Sequence, residues 1–111
     1  MEIKLLGNKK AILIKADSEI DHHNAEKIRK AADIKIKSSN AINVIFDFSK
    51  VDFMDSSGIG VIMGRFKIAK LLGGKVVIFG VKKQVSRLLE MAGIDKIITF
   101  CRNLDESVNK L

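Results

Sequence analysis

Short runs of β-branched and aromatic residues, set between stretches of helical period, constrain this chain most. AILIKA (11–16), INVIFDF (42–48), KVVIF (75–79) and KIITF (96–100) read as strands. The last three are nearly continuous in apolar residues, as expected of strands buried on both faces. EIKLL (2–6) reads as a further strand, joined to the next by the turn GNKK. One helix is expected from about Asp21 to Lys37, with Ala25, Ile28 and Ala32 on its inner face. A second is expected from about Ser57 to Leu72, and a third from Lys82 to Ala92. The third turns Val85, Leu88, Leu89 and Ala92 inward and stops at Gly93, which tolerates the left-handed conformation that ends helices. A short last helix covers Leu104 to Lys110. The order β-β-α-β-α-β-α-β-α implies an α/β fold: a mixed, mostly parallel sheet flanked by helices, with the first hairpin adding an antiparallel strand. No proline, linker or repeat interrupts it, and 111 residues suit one domain, 1–111.

The net charge of +7 raises nucleic acid or an anionic surface as a partner. The basic residues are dispersed along the chain and alternate with apolar positions, which reads as solvated faces. Tyr and Trp are absent and all six Phe sit in apolar runs, so the rings that stack on single-stranded bases are missing. Neither a nucleic-acid nor a membrane partner is expected. No apolar stretch reaches the length of a membrane span, and the N-terminal run is short, charged on both sides and unlike a secretory signal. Cys101 stands alone and forms no internal disulfide. These features together point to the cytoplasm.

In α/β sheets the loops at the carboxyl ends of strands form the working edge. DFMDSS (52–57) and ADSEIDHH (16–23) both lie there. Gly58, Gly60 and Gly64 give G-x-G-x-x-x-G, whereas the dinucleotide fingerprint needs its third glycine where Met63 stands. No acidic residue follows at ribose-binding distance, and no phosphate-binding G-x-x-x-x-G-K-[ST] occurs. A nucleophile elbow needs Gly two residues before its serine; Met54 and Asp55 hold those positions for Ser56 and Ser57. His22 and His23 are adjacent, point apart on a helix, and make a poor metal pair.

Asp55, Ser56 and Ser57 are residue types that cap helices, because a side-chain oxygen accepts an unpaired N–H of the first turn. The same position also favours a phosphate, near free N–H groups and the positive dipole end. Phosphorylation there would add about two negative charges beside Asp55, near Glu19 and Asp21. On the helix that follows, Ile59, Ile62, Met63, Phe66 and Ala69 form one apolar stripe. Val61, Ile68 and Leu72 cluster on the far side, beside Gly60 and Gly64. Two readings of that side stand: a neighbouring helix covers it, or it is an exposed patch that docks another protein.

SEIDHHNAEKIR (18–29), VDFMDSSGIGVIMGRFK (51–67), LLGGKVVIFGV (71–81) and RLLEMAGIDKIITF (87–100) resemble the anti-sigma factor antagonists of the STAS-domain family. The likeness spans nearly the whole chain, and the Asp-His-His block draws it towards the sporulation members rather than the general-stress ones. The resemblance implies a β/α domain with a mixed sheet, no catalysis and no cofactor. It implies that the unphosphorylated chain binds an anti-sigma factor, itself a GHKL-type serine kinase, and so releases a sigma factor. It places the phosphorylated residue at Ser56, with a PP2C-type phosphatase restoring the active form. Partner contacts would come from Glu19, Asp21, Asp55, Ser57, Gly58, Gly60, Val61, Gly64 and Ile68, with Ser57 available to cap the helix. Ser18 stands where such chains typically carry Gly. The alternatives are a STAS module of another stress-signalling cascade and a small-nucleotide-binding module, since phosphate could rest at the helix start.

Overall fold

A computed structural model describes residues 1–111. Strand β1 (Glu2–Leu6) pairs antiparallel with β2 (Ala11–Lys15) across a single 3-10 turn at Gly7–Lys9. Lys10 closes that turn in the left-handed region, at φ 49°. Helix α1 (His22–Ser39) then carries the chain to β3 (Asn43–Asp47), α2 (Ser56–Leu71) to β4 (Val76–Phe79), and α3 (Lys83–Met91) to β5 (Thr99–Cys101). Helix α4 (Leu104–Asn109) ends the chain. The sheet order is β1-β2-β3-β4-β5, with every pair after the first parallel.

Because the strands advance in one direction and such crossovers are right-handed, α1, α2 and α3 share one face of the sheet. The period-2 alternation of each strand then divides its residues between two cores. Ile12, Ile14, Val44, Phe46, Val76 and Ile78 turn to the three helices. Leu13, Ile45, Val77, Phe79 and Cys101 turn the other way, where Leu104, Val108 and Leu111 cover them. This two-sided burial is why the middle of β3, Val44 to Phe46, and all of β4 are apolar at consecutive positions. Each fully buried Ile or Phe contributes roughly 1.5–3 kcal/mol relative to an exposed one.

The expected elements appear in the expected order, with shifts at their ends. Asp21 caps α1 instead of beginning it: its carboxylate accepts the Asn24 N–H at 2.9 Å. The fifth strand starts later than KIITF suggests. Gly93 takes φ 77°, a 3-10 turn fills Ile94–Lys96, and only Thr99–Cys101 pair with β4. Ile94 and Ile98 are buried while Ile97 is half-exposed, so the apolar run here plugs the bottom of α3 before the strand begins.

Candidate functional site

The two loops singled out in the sequence meet at the carboxyl edge of β2 and β3. Ile20 and Met54 form a parallel bridge between them. The Ile20 N–H donates to the Phe53 carbonyl at 3.0 Å, and the Asp55 N–H donates to the Ile20 carbonyl at 3.1 Å. Both bridging side chains are buried. The starts of α1 and α2 are therefore fixed against each other by backbone hydrogen bonds, independent of surface side chains.

Asp55 has extended backbone angles, and its Oδ1 accepts the Ser57 N–H at 2.8 Å. The cap is thus Asp55, and the expectation that Ser57 serves this purpose is corrected: a carboxylate one residue before the helix reaches the first-turn donors, and Ser57 lies inside that turn. Ser56 is the first residue of α2 and is exposed. The Gly58 N–H is also taken, by the Asp55 carbonyl at 3.0 Å. With the Ser57 and Gly58 donors satisfied and a carboxylate beside them, a free nucleotide phosphate would have to displace Asp55 to bind here.

Gly58 is buried beneath Met54. A Cβ at this position would lie 2.3 Å from Met54 Cγ and 3.2 Å from Ile20 Cγ2. Its side-chain position points into the core, which corrects its expected place on a docking surface. Val61 is corrected likewise: it is 4% exposed and belongs to the main core. The side that pattern analysis left open is covered only in part: Val61 is buried in the main core and Ile68 packs partly against it, while Leu72 is half-exposed. What α2 shows to solvent is a narrow strip that includes Ser56, Gly60, Lys67 and Leu71. Gly60 and Gly64 face open space, with nothing within 4 Å of a Cβ.

The α1–α2 contact holds a charged pair that the periodicity did not reveal. Arg65 is buried, its Nε 3.1 Å from Asp33 Oδ1. Neither atom aligns as a hydrogen bond, and Arg65 Nη1 has no partner. Burial pushes the Arg65 guanidinium below its ordinary range, the Asp33 carboxylate opposes that shift, and Arg29 adds to it.

Carboxylates gather on the two loops that meet at Ser56. The exposed Glu19 side chain and the capping Asp21 come from the first loop, and Asp52 and Asp55 from the second. Asn24 Nδ2 donates to the Glu19 carbonyl at 2.9 Å and holds the first loop to α1. Lys82 pairs with Asp52, and Gln84 Nε2 donates to the Asp52 carbonyl at 3.0 Å, so the start of α3 joins the site. Phe53 is 52% exposed between them. The sequence reading missed Asp52, Phe53, Lys82 and Gln84. The available signal was spacing: Val51 and Met54 are buried anchors, and the two residues between them must point out. His22 and His23 are exposed at the start of α1, and no cluster of three or more His, Cys, Asp or Glu is placed to hold a metal.

The STAS-domain family model matches residues 2–107. The anti-sigma F factor antagonist of Paenibacillus polymyxa is 32% identical over 111 residues, covering 100% of this chain and 92% of that protein. An anti-sigma-B factor antagonist of Listeria monocytogenes is 32% identical over 92 residues, covering 82% and 78% respectively. Among solved structures, unphosphorylated SpoIIAA superposes with a TM-score of 0.86 at 22% identity, covering 98% of this chain and 93% of that one. The phosphorylated form of the Bacillus cell fate determinant SpoIIAA gives 0.77 at 21% identity, covering 98% and 96%. A matching fold, a family match over residues 2–107 and relatives named as anti-sigma factor antagonists agree: this protein belongs to the STAS-domain family, in its branch of anti-sigma factor antagonists.

Proposed function

We propose that this protein is a phosphorylation-switched docking module that frees a sigma factor. The unphosphorylated form binds an anti-sigma factor, a GHKL-type serine kinase, and the sigma factor leaves. The kinase then modifies Ser56, the modified chain lets go, and a PP2C-type phosphatase restores it. The observation that carries this reading is the exposed Ser56 at the first position of α2, set among Glu19, Asp21, Asp52 and Asp55. A phosphate there adds about two negative charges beside these carboxylates. That changes docking by repulsion and places little demand on the fold, because the loops beneath are held by buried side chains and backbone bonds.

The comparison proteins support the reading: one relative is named an anti-sigma F factor antagonist, and SpoIIAA has been solved in unphosphorylated and phosphorylated forms. Partner contact comes from Glu19, Asp21, Asp55, Ser56, Ser57, Gly60 and Gly64, with Phe53 added and with Gly58, Val61 and Ile68 supporting from below. The setting is sporulation-type control in the cytoplasm. The Listeria relative, named an anti-sigma-B factor antagonist, favours a second reading in which the same switch serves a stress-signalling cascade.

The test uses the purified chain with the sporulation-type and stress-type kinases of its own genome, each with and without ATP. Wild type should bind one kinase, gain phosphate on Ser56 when ATP is present, and dissociate. Ser56→Ala should stay bound in ATP. A Ser56→Ala chain that is still phosphorylated and released would overturn the assignment, and the kinase retained decides between the two cascades.

A further inference from the structure

The basic residues are dispersed in sequence, but six exposed lysines gather at one edge in space. The loops preceding β2, β3 and β4 are sewn together at the edge where the parallel strands begin, opposite Ser56. Asn43 does much of this: its Nδ2 donates to the Lys9 carbonyl at 2.8 Å, and its Oδ1 accepts the Lys75 N–H at 2.7 Å. The Lys10 carbonyl accepts from both Ile42 and Asn43. Gly74 permits the approach, since a Cβ there would stand 1.8 Å from the Ile42 carbonyl oxygen. Lys75 Nζ reaches the Lys110 carbonyl at 3.4 Å. Lys9, Lys10, Lys75 and Lys110 therefore share one edge, with Lys70 in the last turn of α2 and Lys96 in the 3-10 turn before β5. All six are exposed, and none enters an ion pair. The topology causes the clustering, because every β-α unit returns its chain to this edge.

Apolar tips protrude at the same edge. Helices α2 and α3 run against the strands, so their C-terminal ends arrive there. Helix α2 ends on Leu71, 88% exposed, followed by the half-exposed Leu72; α3 ends on Met91, also 88% exposed. Ile97, half-exposed, precedes β5. Half of the eight exposed large apolar side chains thus stand among the unpaired lysines.

We propose that this edge docks the protein, peripherally, on an anionic lipid bilayer. Unpaired lysines gain from the negative surface potential at headgroup level, and Leu, Met and Ile tips leave water at the acyl boundary. Such an interface satisfies both features together. On a nucleic acid the apolar tips would gain nothing, and no aromatic ring stands here to stack on a base; the one largely exposed ring, Phe53, is at the other edge. No helix of the chain is long and apolar enough to cross a membrane, so the contact is with the surface. The orientation follows from the charges: the acidic loops around Ser56 point away from the lipid and remain open to a protein partner.

Flotation with lipid vesicles tests this. The full chain should float with phosphatidylcholine vesicles containing about 30% phosphatidylglycerol, not with phosphatidylcholine alone, and should be released as salt rises from about 0.1 M to about 0.5 M. Replacing Lys9, Lys10, Lys75 and Lys110 together by Gln should weaken binding at least about tenfold. Leu71→Ser with Met91→Ser should weaken it several-fold with an unchanged melting temperature, because both side chains are exposed. Absence of wild-type flotation on the anionic vesicles at the lower salt overturns the proposal. So does full binding by the Leu71→Ser, Met91→Ser chain, or complete displacement from vesicles by mixed-sequence duplex DNA, which would mark a general polyanion surface.

Discussion

The Asp55 N–H donates to the Ile20 carbonyl at 3.1 Å, so the residue that caps α2 is held by the loop that leads into α1. Ser56 inherits its position from this bond. In the proposed switch the Ser56 side chain changes charge while the backbone beneath stays fixed by buried neighbours.

Gly58 and Gly60 should respond oppositely to alanine. At Gly58 the new methyl would meet Met54, itself buried, and should cost about 1–3 kcal/mol through repacking. At Gly60 nothing lies within 4 Å, and the helix should gain about 0.5–1 kcal/mol. Urea unfolding of the two variants gives both values. Equal effects would mean that the first turn of α2 does not rest on Met54.

Removing the cap by Asp55→Ala should cost about 1 kcal/mol, as the Ser57 N–H loses its acceptor. Asp55→Asn retains an acceptor and should recover most of that stability. Melting curves of the pair separate capping from charge, and anti-sigma factor binding measured on the Asn variant reports what the carboxylate itself contributes to docking.

The Arg65–Asp33 pair should be asymmetric. Asp33→Ala leaves a buried guanidinium without its carboxylate and should destabilise by about 3 kcal/mol or more. Arg65→Met should cost less, because the Asp33 side chain is partly exposed and keeps Arg29 at 3.9 Å. Replacing both residues, Asp33→Leu with Arg65→Met, should be close to neutral, because a pair with poor hydrogen-bond geometry recovers little of its desolvation cost. Denaturant midpoints for both variants and the double mutant check this. A large loss in the double mutant would show that the pair is better satisfied than its geometry indicates.

Phe53 is half-exposed beside the acidic loops, and its backbone, not its ring, serves the bridge to Ile20. Phe53→Ala should leave the melting temperature within about 2–3 °C, in keeping with a surface change of no more than about 0.5 kcal/mol. It should weaken binding to the anti-sigma factor at least about fivefold if the ring anchors the interface, by about 1 kcal/mol or more. Titration calorimetry against the anti-sigma factor reads the second effect, and unchanged affinity would remove Phe53 from the interface.

Element type, order and most boundaries are properties of this sequence. Runs such as INVIFDF and KVVIF are apolar at consecutive positions because both faces of β3 and β4 are covered, and that signature needs no knowledge of the neighbours. Gly93 and the Asp55-Ser56 helix start are equally local, since backbone conformation and capping involve residues a few positions apart. The tertiary arrangement alone decided which flank of α2 reaches solvent. Helical periodicity shows that Val61 lies on a face; only the packing of α1 shows that the face is buried, with Arg65 and Asp33 inside it. It also decided that lysines scattered from position 9 to position 110 meet at one edge while the carboxylates around Ser56 meet at the other. Charge spacing along a chain carries no record of the crossovers that fold it back, whereas the parallel sheet returns each strand's start to the same side.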